Sequence, residues 1–402
     1  MILGFRLGDL NMNTFMTTKE RNVLYACLGI GLVGVIGGLL YSERFWAVFL
    51  QNSFYFVTLA LGGAVFVAVN HVSNSGWSSV LRRVPEAMMS YIPIGAASIM
   101  LLFFGRNAIY EWTDKIYTHH GHELVFKNAY LSEGFFFTRM FVFLAIWIVL
   151  IFLMKRESFR QDKNGHLVHT NKGKTYAAIF LVVFGITFTF AVFDWIMSIE
   201  PMFFSTIYAF YHIAGVLLSG TAAITVLIIL LRRRGYLQEV GDRQMHALGK
   251  LVFGFATFWA YIWVCQYLLI YYANIPEETI HYVRRTSGSW SNIFFLSLFL
   301  NWIIPFLMLI QRRVKSNENW MLAACGIVLI GHWVDLYVLI FPTFFESPMI
   351  GLVDITLPIG FVALFLLTFV KNLTVNRLIP SKDPYLAESM WQEKYSELGK
   401  AN

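Results

Sequence analysis

Residues 205–234 read STIYAFYHIAGVLLSGTAAITVLIILLRRR. No Asp, Glu, Lys or Arg interrupts residues 205–231, and the run then stops on Arg232, Arg233 and Arg234. A helix rises 1.5 Å per residue, so about 20 apolar residues cross a hydrocarbon core about 30 Å thick. The stretch reads as a membrane helix with a basic stop. Similar stretches recur at 22–41, 53–70, 87–104, 135–154, 174–198, 205–231, 246–271, 289–310, 319–341 and 350–373. The expected fold is an all-α integral membrane protein with ten transmembrane helices. Spans two and three are the shortest of the ten. Span one is too long for a signal-peptide core and lacks a small-residue cleavage site, so it reads as a retained helix.

Composition excludes the other classes. Of 402 residues 57% are apolar and 14% charged, with 38 Phe, 19 Tyr and 12 Trp and a mean hydropathy of +0.59. Ordinary globular chains carry about 45–50% apolar and about 25% charged residues. A soluble fold would expose large apolar patches, and a disordered chain would be poor in aromatics. The three cysteines, Cys27, Cys265 and Cys325, each lie inside an apolar run. No C-x-x-C-H occurs, and three thiols cannot hold an iron–sulfur cluster, so no redox metal site, covalent cofactor or disulfide framework is expected.

The net charge of +7 and the pI near 9.2 raise nucleic acid as a partner, but the basic residues sort by loop. One side of the ten-span array carries 23 of the 31 Lys and Arg, and the other carries 6. Basic loops mark the cytoplasmic side, so no nucleic-acid partner is expected. Both chain ends, 1–21 and 374–402, are expected in the cytoplasm.

A repeat divides the array. Span five ends Asp194-Trp195-Ile196-Met197-Ser198-Ile199-Glu200-Pro201-Met202-Phe203-Phe204. Span nine ends Asp335-Leu336-Tyr337-Val338-Leu339-Ile340-Phe341-Pro342-Thr343-Phe344-Phe345. Both read D-x6-P-x-F-F, four spans apart. An even separation makes the repeat parallel, whereas many transporters use inverted ones. The expected organisation is two four-helix bundles, 53–198 and 205–341, flanked by helices 22–41 and 350–373.

Ionisable groups at membrane depth cost about 2.5–3.5 kcal/mol or more, which makes each a candidate for function. Asp194 near the end of span five and His212 in span six can reach similar depth across one hairpin. His332 and Asp335 in span nine share a helix face at i, i+3. Histidine titrates near neutrality, so these two His–Asp sets are the candidate proton relay. Gln266 and Asn301 can hydrogen-bond a quinone carbonyl or a water. Asp194, His212 and Gln266 are the candidate quinol-binding set. His71, Glu86 and His246 are the inner relay candidates, near Asn70 and Lys250. The loop 105–134 holds His119-His120-Gly121-His122, read as a docking segment because no carboxylate or Cys completes a metal site.

The run Gln266-Tyr267-Leu268-Leu269-Ile270-Tyr271-Tyr272-Ala273-Asn274-Ile275-Pro276-Glu277-Glu278-Thr279 resembles the NrfD-like, polysulfide-reductase-type membrane subunits of bacterial alternative complex III, a quinol:cytochrome c oxidoreductase. So do Trp77-Ser78 with Arg82-Arg83-Val84-Pro85-Glu86, and Phe204-Ser205-Thr206-Ile207. The resemblance implies a respiratory subunit in the bacterial inner membrane, with menaquinone or another quinone as ligand. It implies a multihaem cytochrome c subunit, an iron–sulfur subunit, a homologous NrfD-like subunit and a terminal cytochrome oxidase as partners. The chain looks like the shorter, second quinone-binding-type subunit. A proton-coupled secondary transporter and a purely structural anchor are the alternatives; against the transporter, the sequence shows no clear pair of Gly/Pro-broken spans.

Overall fold

A computed structural model describes residues 15–41, 44–114, 118–119, 122–123, 125–375 and 377–390. Among these residues ten helices are long and apolar enough to cross a membrane: Thr18–Leu40, Phe45–Val72, Ser79–Ile109, Glu133–Asn164, Leu167–Ile199, Tyr208–Arg233, Asp242–Ala273, Trp290–Leu309, Glu318–Thr343 and Leu352–Leu373. We refer to them as spans one to ten. The described strands are two residues each, Thr118–His119 paired antiparallel with His122–Glu123 in the loop after span three. The side chains of His119, His120 and His122 lie outside the described residues.

Spans two and three are longer than their hydropathy suggests, at 28 and 31 residues. Gln51 and Asn52 lower the apolar signal of span two, yet neither meets lipid. Gln51 Nε2 donates to the Trp333 carbonyl at 2.9 Å, and Trp333 Nε1 donates to Asn52 Oδ1 at 3.1 Å. Span two is the most enclosed helix of the array. Span three is built of short α and 3-10 pieces, from Ser79–Leu81 to Arg106–Ile109. The shortest span is the eighth, at 20 residues. It widens into a π turn at Phe299–Ile303, just before Pro305. A proline ring clashes with the carbonyl four residues back, here that of Asn301, and a wide turn relieves the clash. The interruptions in spans three and eight do not occupy corresponding places in the two bundles.

Span two packs on spans three, five, six, nine and ten; span four packs on span five; spans six to nine pack around one another. The two bundles meet where span two crosses span six. A Cβ on Gly62 would lie 2.6 Å from the Gly220 Cα, so only glycine permits this approach. Gly220→Leu is expected to push the bundles apart, costing about 1–3 kcal/mol or more and lowering the melting temperature and the monodisperse fraction in detergent. An unchanged melt would refute the crossing.

Spans one and ten do not flank the bundles separately. They pair with each other through a second glycine crossing, where a Cβ on Gly31 would lie 2.5 Å from the Gly360 Cα. Span ten also packs on spans two and three, while span one stays largely open to lipid. An even number of spans leaves both ends of the array on one face, the terminal face. There residues 377–390 cross the loops between spans: Arg82 pairs with Asp383, Tyr385 Oη donates to Asn74 Oδ1 at 2.9 Å, and Ser389 Oγ donates to the Trp77 carbonyl at 3.1 Å.

Candidate functional site

The two copies of D-x6-P-x-F-F both reach the opposite, distal face and both finish in a 3-10 turn, Met197–Ile199 and Phe341–Thr343. Their aspartates are buried alike but partnered differently.

Asp194 is held by Arg139 of span four. Nε and Nη2 donate to its two oxygens, each at 2.9 Å, while Nη1 donates to the Tyr130 carbonyl at 2.9 Å. The guanidinium also lies 3.9 Å from the Tyr130 ring centre and 4.2 Å from that of Phe135. Both carboxylate oxygens are committed to this fork. The expected Asp194–His212 pair is therefore not formed. A guanidinium inside the membrane demands a charged partner, and the planar fork fits a carboxylate better than an imidazole does. Of the expected quinol-binding set, Asp194 bonds within the first bundle, while His212 and Gln266 belong to spans six and seven of the second.

In the second bundle the carboxylate is only half used. Tyr211 Oη donates to Asp335 Oδ1, and Oδ2 accepts no hydrogen bond, because the neighbouring Ser297 hydroxyl donates instead to the Phe294 carbonyl at 2.9 Å. His332, one turn earlier, has no partner on either ring nitrogen, so it faces the same way as Asp335 without bonding to it. Its ring rests against Gly215, where a Cβ would meet Cε1 at 2.6 Å. His212 is one turn from Gly215 and leaves Nε2 unpartnered. Its ring packs edge-on against Phe54 at 5.5 Å and Tyr208 at 4.8 Å. Gln266 Nε2 and Asn301 Oδ1 are also buried without partners. Asn301 sits in the π turn, and span nine approaches that turn closely because Gly331 has no side chain: a Cβ there would lie 3.1 Å from the Asn301 nitrogen. Buried polar atoms are nearly always satisfied, and each unpaired one costs about 1–3 kcal/mol. Unpaired buried atoms also occur in the first bundle, on Gln51, His71 and Asp162 among others; spans six to nine differ in carrying the imidazoles of both His212 and His332 together with a carboxylate oxygen of Asp335.

The inner candidates divide between the bundles. Glu86 accepts from Arg83 and from Ser158 Oγ, and Arg83 also holds Asp162. His71, in span two, keeps Nε2 unpaired. His246 is partly exposed near Lys250, Arg312 and Lys315 on the other bundle.

A further cluster carries no signal in hydropathy. Glu200, in the first repeat copy, is gripped by the helix Pro276–Thr286 and by the second copy. His281 Nδ1 bonds to it, Arg285 Nη1 reaches its two oxygens at 3.2 and 3.4 Å, Arg284 reaches it at 3.3 Å, and Thr343 Oγ1 donates at 3.0 Å. This clamp ties the two repeat ends together on the distal face. The visible clue was an amphipathic order, Pro276 then Glu277-Glu278 and finally Arg284-Arg285, which suits a short helix with its dipole matched.

The titrating groups of the clamp, Glu200 and His281, lie outside the spans. Burial lowers the His281 pKa from 6.5 to about 4, aided by Arg285 and opposed by Glu200. Burial also opposes ionisation of Glu200, but the Arg285 charge and the His281 hydrogen bond outweigh it and hold the carboxyl well below its usual range. His281 is depressed in the folded state, so its contribution is complete above pH 6.5 and is lost as pH falls toward 4. The loss amounts to about 3 kcal/mol. Thermal unfolding between pH 7.5 and 4.5 should fall more steeply for the wild type than for His281→Asn; parallel profiles would refute the assignment.

Among the described residues no three His, Cys, Asp or Glu side chains gather into a group that could hold a metal ion. Taken together, fold and site define a multi-pass membrane protein with buried protonatable side chains in the spans of both bundles, ion-paired for the most part in the first and, among the described residues, without charged partners in the second. The chain belongs to the NrfD family: the family model described as "Polysulphide reductase, NrfD" matches residues 39–346. Proteins of this family are membrane subunits of respiratory redox complexes and partner iron–sulfur subunits. The match covers spans two to nine, so both bundles are family core and the glycine-paired spans one and ten lie outside it. A search of curated proteins finds no match.

Proposed function

We propose that this chain is the second quinone-binding-type membrane subunit of a quinol:cytochrome c oxidoreductase of the alternative complex III kind, and that its second bundle handles protons. The observation that carries this reading is Asp335, bonded at one oxygen by Tyr211 and free at the other, beside two buried imidazoles with unpaired nitrogens. Asp335 Oδ2 can take a proton while Tyr211 still fixes the carboxylate. His332 can take or donate one at either ring nitrogen, and His212 at Nε2.

A quinol, on oxidation, supplies two protons and two electrons, and the electrons pass to metal-bearing partners. The residues fit a quinone headgroup: Gln266 Nε2 offers a donor, and the two imidazoles offer a donor or an acceptor. A separate cavity of about 510 Å³ opens between the end of span seven and the helix Pro276–Thr286, lined by Tyr267, Tyr271 and Tyr282, within the usual range for small-ligand sites. Asp194 is reassigned from relay to structural ion pair.

In this reading the basic loops place both ends on the cytoplasmic side of a bacterial inner membrane. The partners are a multihaem cytochrome c, an iron–sulfur protein, a homologous NrfD-like subunit and a terminal oxidase. Purification distinguishes the proposal from a transporter: the subunit should come out with haem proteins, and a chain that purifies alone and carries solute would overturn it. The relay is tested by Asp335→Asn in the assembled complex. A purely structural anchor would leave activity intact.

A further inference from the structure

On the terminal face, spans one, six and ten leave a groove of about 410 Å³ whose apolar walls include Val23, Leu24, Leu227, Leu230, Leu366 and Phe369. Span one leans on span ten and not on span six. Its start reaches span six through one ion pair, Arg234 Nη2 to Glu20 Oε1 at 2.7 Å. That pair lies at the mouth of the groove, and Lys19 stands beside it, exposed and without an ion-pair partner among the described residues.

The charges at this end are unbalanced. Arg232 and Arg233 share Glu318, Arg234 has Glu20, and Lys371 follows the groove residue Val370 on span ten. At the groove itself two cations, Lys19 and Arg234, face one carboxylate, Glu20. An apolar slot does not hold water, since water needs several polar partners. A protein helix is about 10–12 Å across with its side chains, and one turn of it would need more room than a groove of about 410 Å³ supplies. A flexible hydrocarbon chain with an anionic head satisfies both the slot and its mouth, and basic pockets between transmembrane helices recognise lipids of this kind.

We infer that this groove binds an anionic phospholipid, one acyl chain lying between spans one and six and the phosphate held by Lys19 and Arg234. The bound lipid would hold span one, which is otherwise fastened mainly by its glycine crossing with span ten.

The test is native mass spectrometry of the full chain in detergent micelles, titrated with phosphatidylglycerol or with phosphatidylcholine. The wild type should retain one phosphatidylglycerol in preference to phosphatidylcholine. Lys19→Glu should lower that retention by at least about fivefold. Leu230→Trp, which fills the groove from its lipid side, should abolish it with the melting temperature unchanged. Val23→Trp fills it from the opposite wall and serves if the first variant folds poorly. Equal retention of the two lipids, or the same retention by wild type and both tryptophan variants, would overturn the inference. The latter is also the result expected if residues 1–14 occupy the groove.

Discussion

Asp335→Asn is expected to reduce quinol-driven cytochrome c reduction coupled to proton release by about 100-fold or more, the usual scale for losing a positioned acid or base. Asparagine has the same shape and can still accept from Tyr211, so the packing of spans six and nine should survive. What is lost is a group that takes up a proton at Oδ2. The assay uses the assembled complex, with cytochrome c reduction read optically and proton release read by a pH indicator. Melting temperature and subunit stoichiometry, measured beside them, should match the wild type. Wild-type rates in a correctly assembled Asp335→Asn complex would remove the second bundle from proton handling.

Arg139→Ala is expected to act oppositely, destabilising the chain by about 3–5 kcal/mol because it strands the Asp194 carboxylate in a buried site. The readout is thermal unfolding in detergent and the amount of assembled complex. Arg139→Met combined with Asp194→Leu should recover much of the loss, since replacing both members of a buried pair with apolar residues is often close to neutral. A double-mutant cycle then gives the coupling. If Arg139→Ala were as stable as the wild type, or if the apolar double variant assembled normally but lost activity as Asp335→Asn should, Asp194 would return to the relay.

These two variants separate residues that look equivalent in the sequence. The repeat D-x6-P-x-F-F places Asp194 and Asp335 at matching ends of spans five and nine, although the 3-10 turns that follow fall three residues apart in the motif, before Pro201 in one copy and across Pro342 in the other. Arg139 breaks the symmetry of the two carboxylates' partners. In the sequence it reads only as one more basic residue near a span end. Tyr211 is hidden in another way: tyrosines are frequent near membrane surfaces, and nothing local marks the one that bonds Asp335. Glu200 stands inside the repeat motif, yet its partners His281, Arg285 and Thr343 lie about 80 or more residues along the chain.

Span limits show the same division. The hydropathy of span two is weakened by Gln51 and Asn52, because the sequence does not tell that both face spans rather than lipid. Span three is shortened in hydropathy by the Arg82–Glu86 segment, whose charges are matched in the structure by Asp383 and Asp162.

By itself the sequence determined that the chain is a ten-span helical membrane protein. Membrane insertion depends on the apolar character and length of each segment, and both are written locally along the chain. It also supplied His212, His332, Asp335 and Gln266, because an ionisable or polar side chain in an apolar run is conspicuous wherever the helix ends up. Only the tertiary structure decided which of these groups have partners. That depends on the rotation of each helix about its axis and on how closely the backbones approach, which glycines at 62, 215, 220 and 331 set. The same packing that gives Asp194 a guanidinium leaves Asp335 with one oxygen free, because among the described residues only the first bundle brings an arginine to its aspartate.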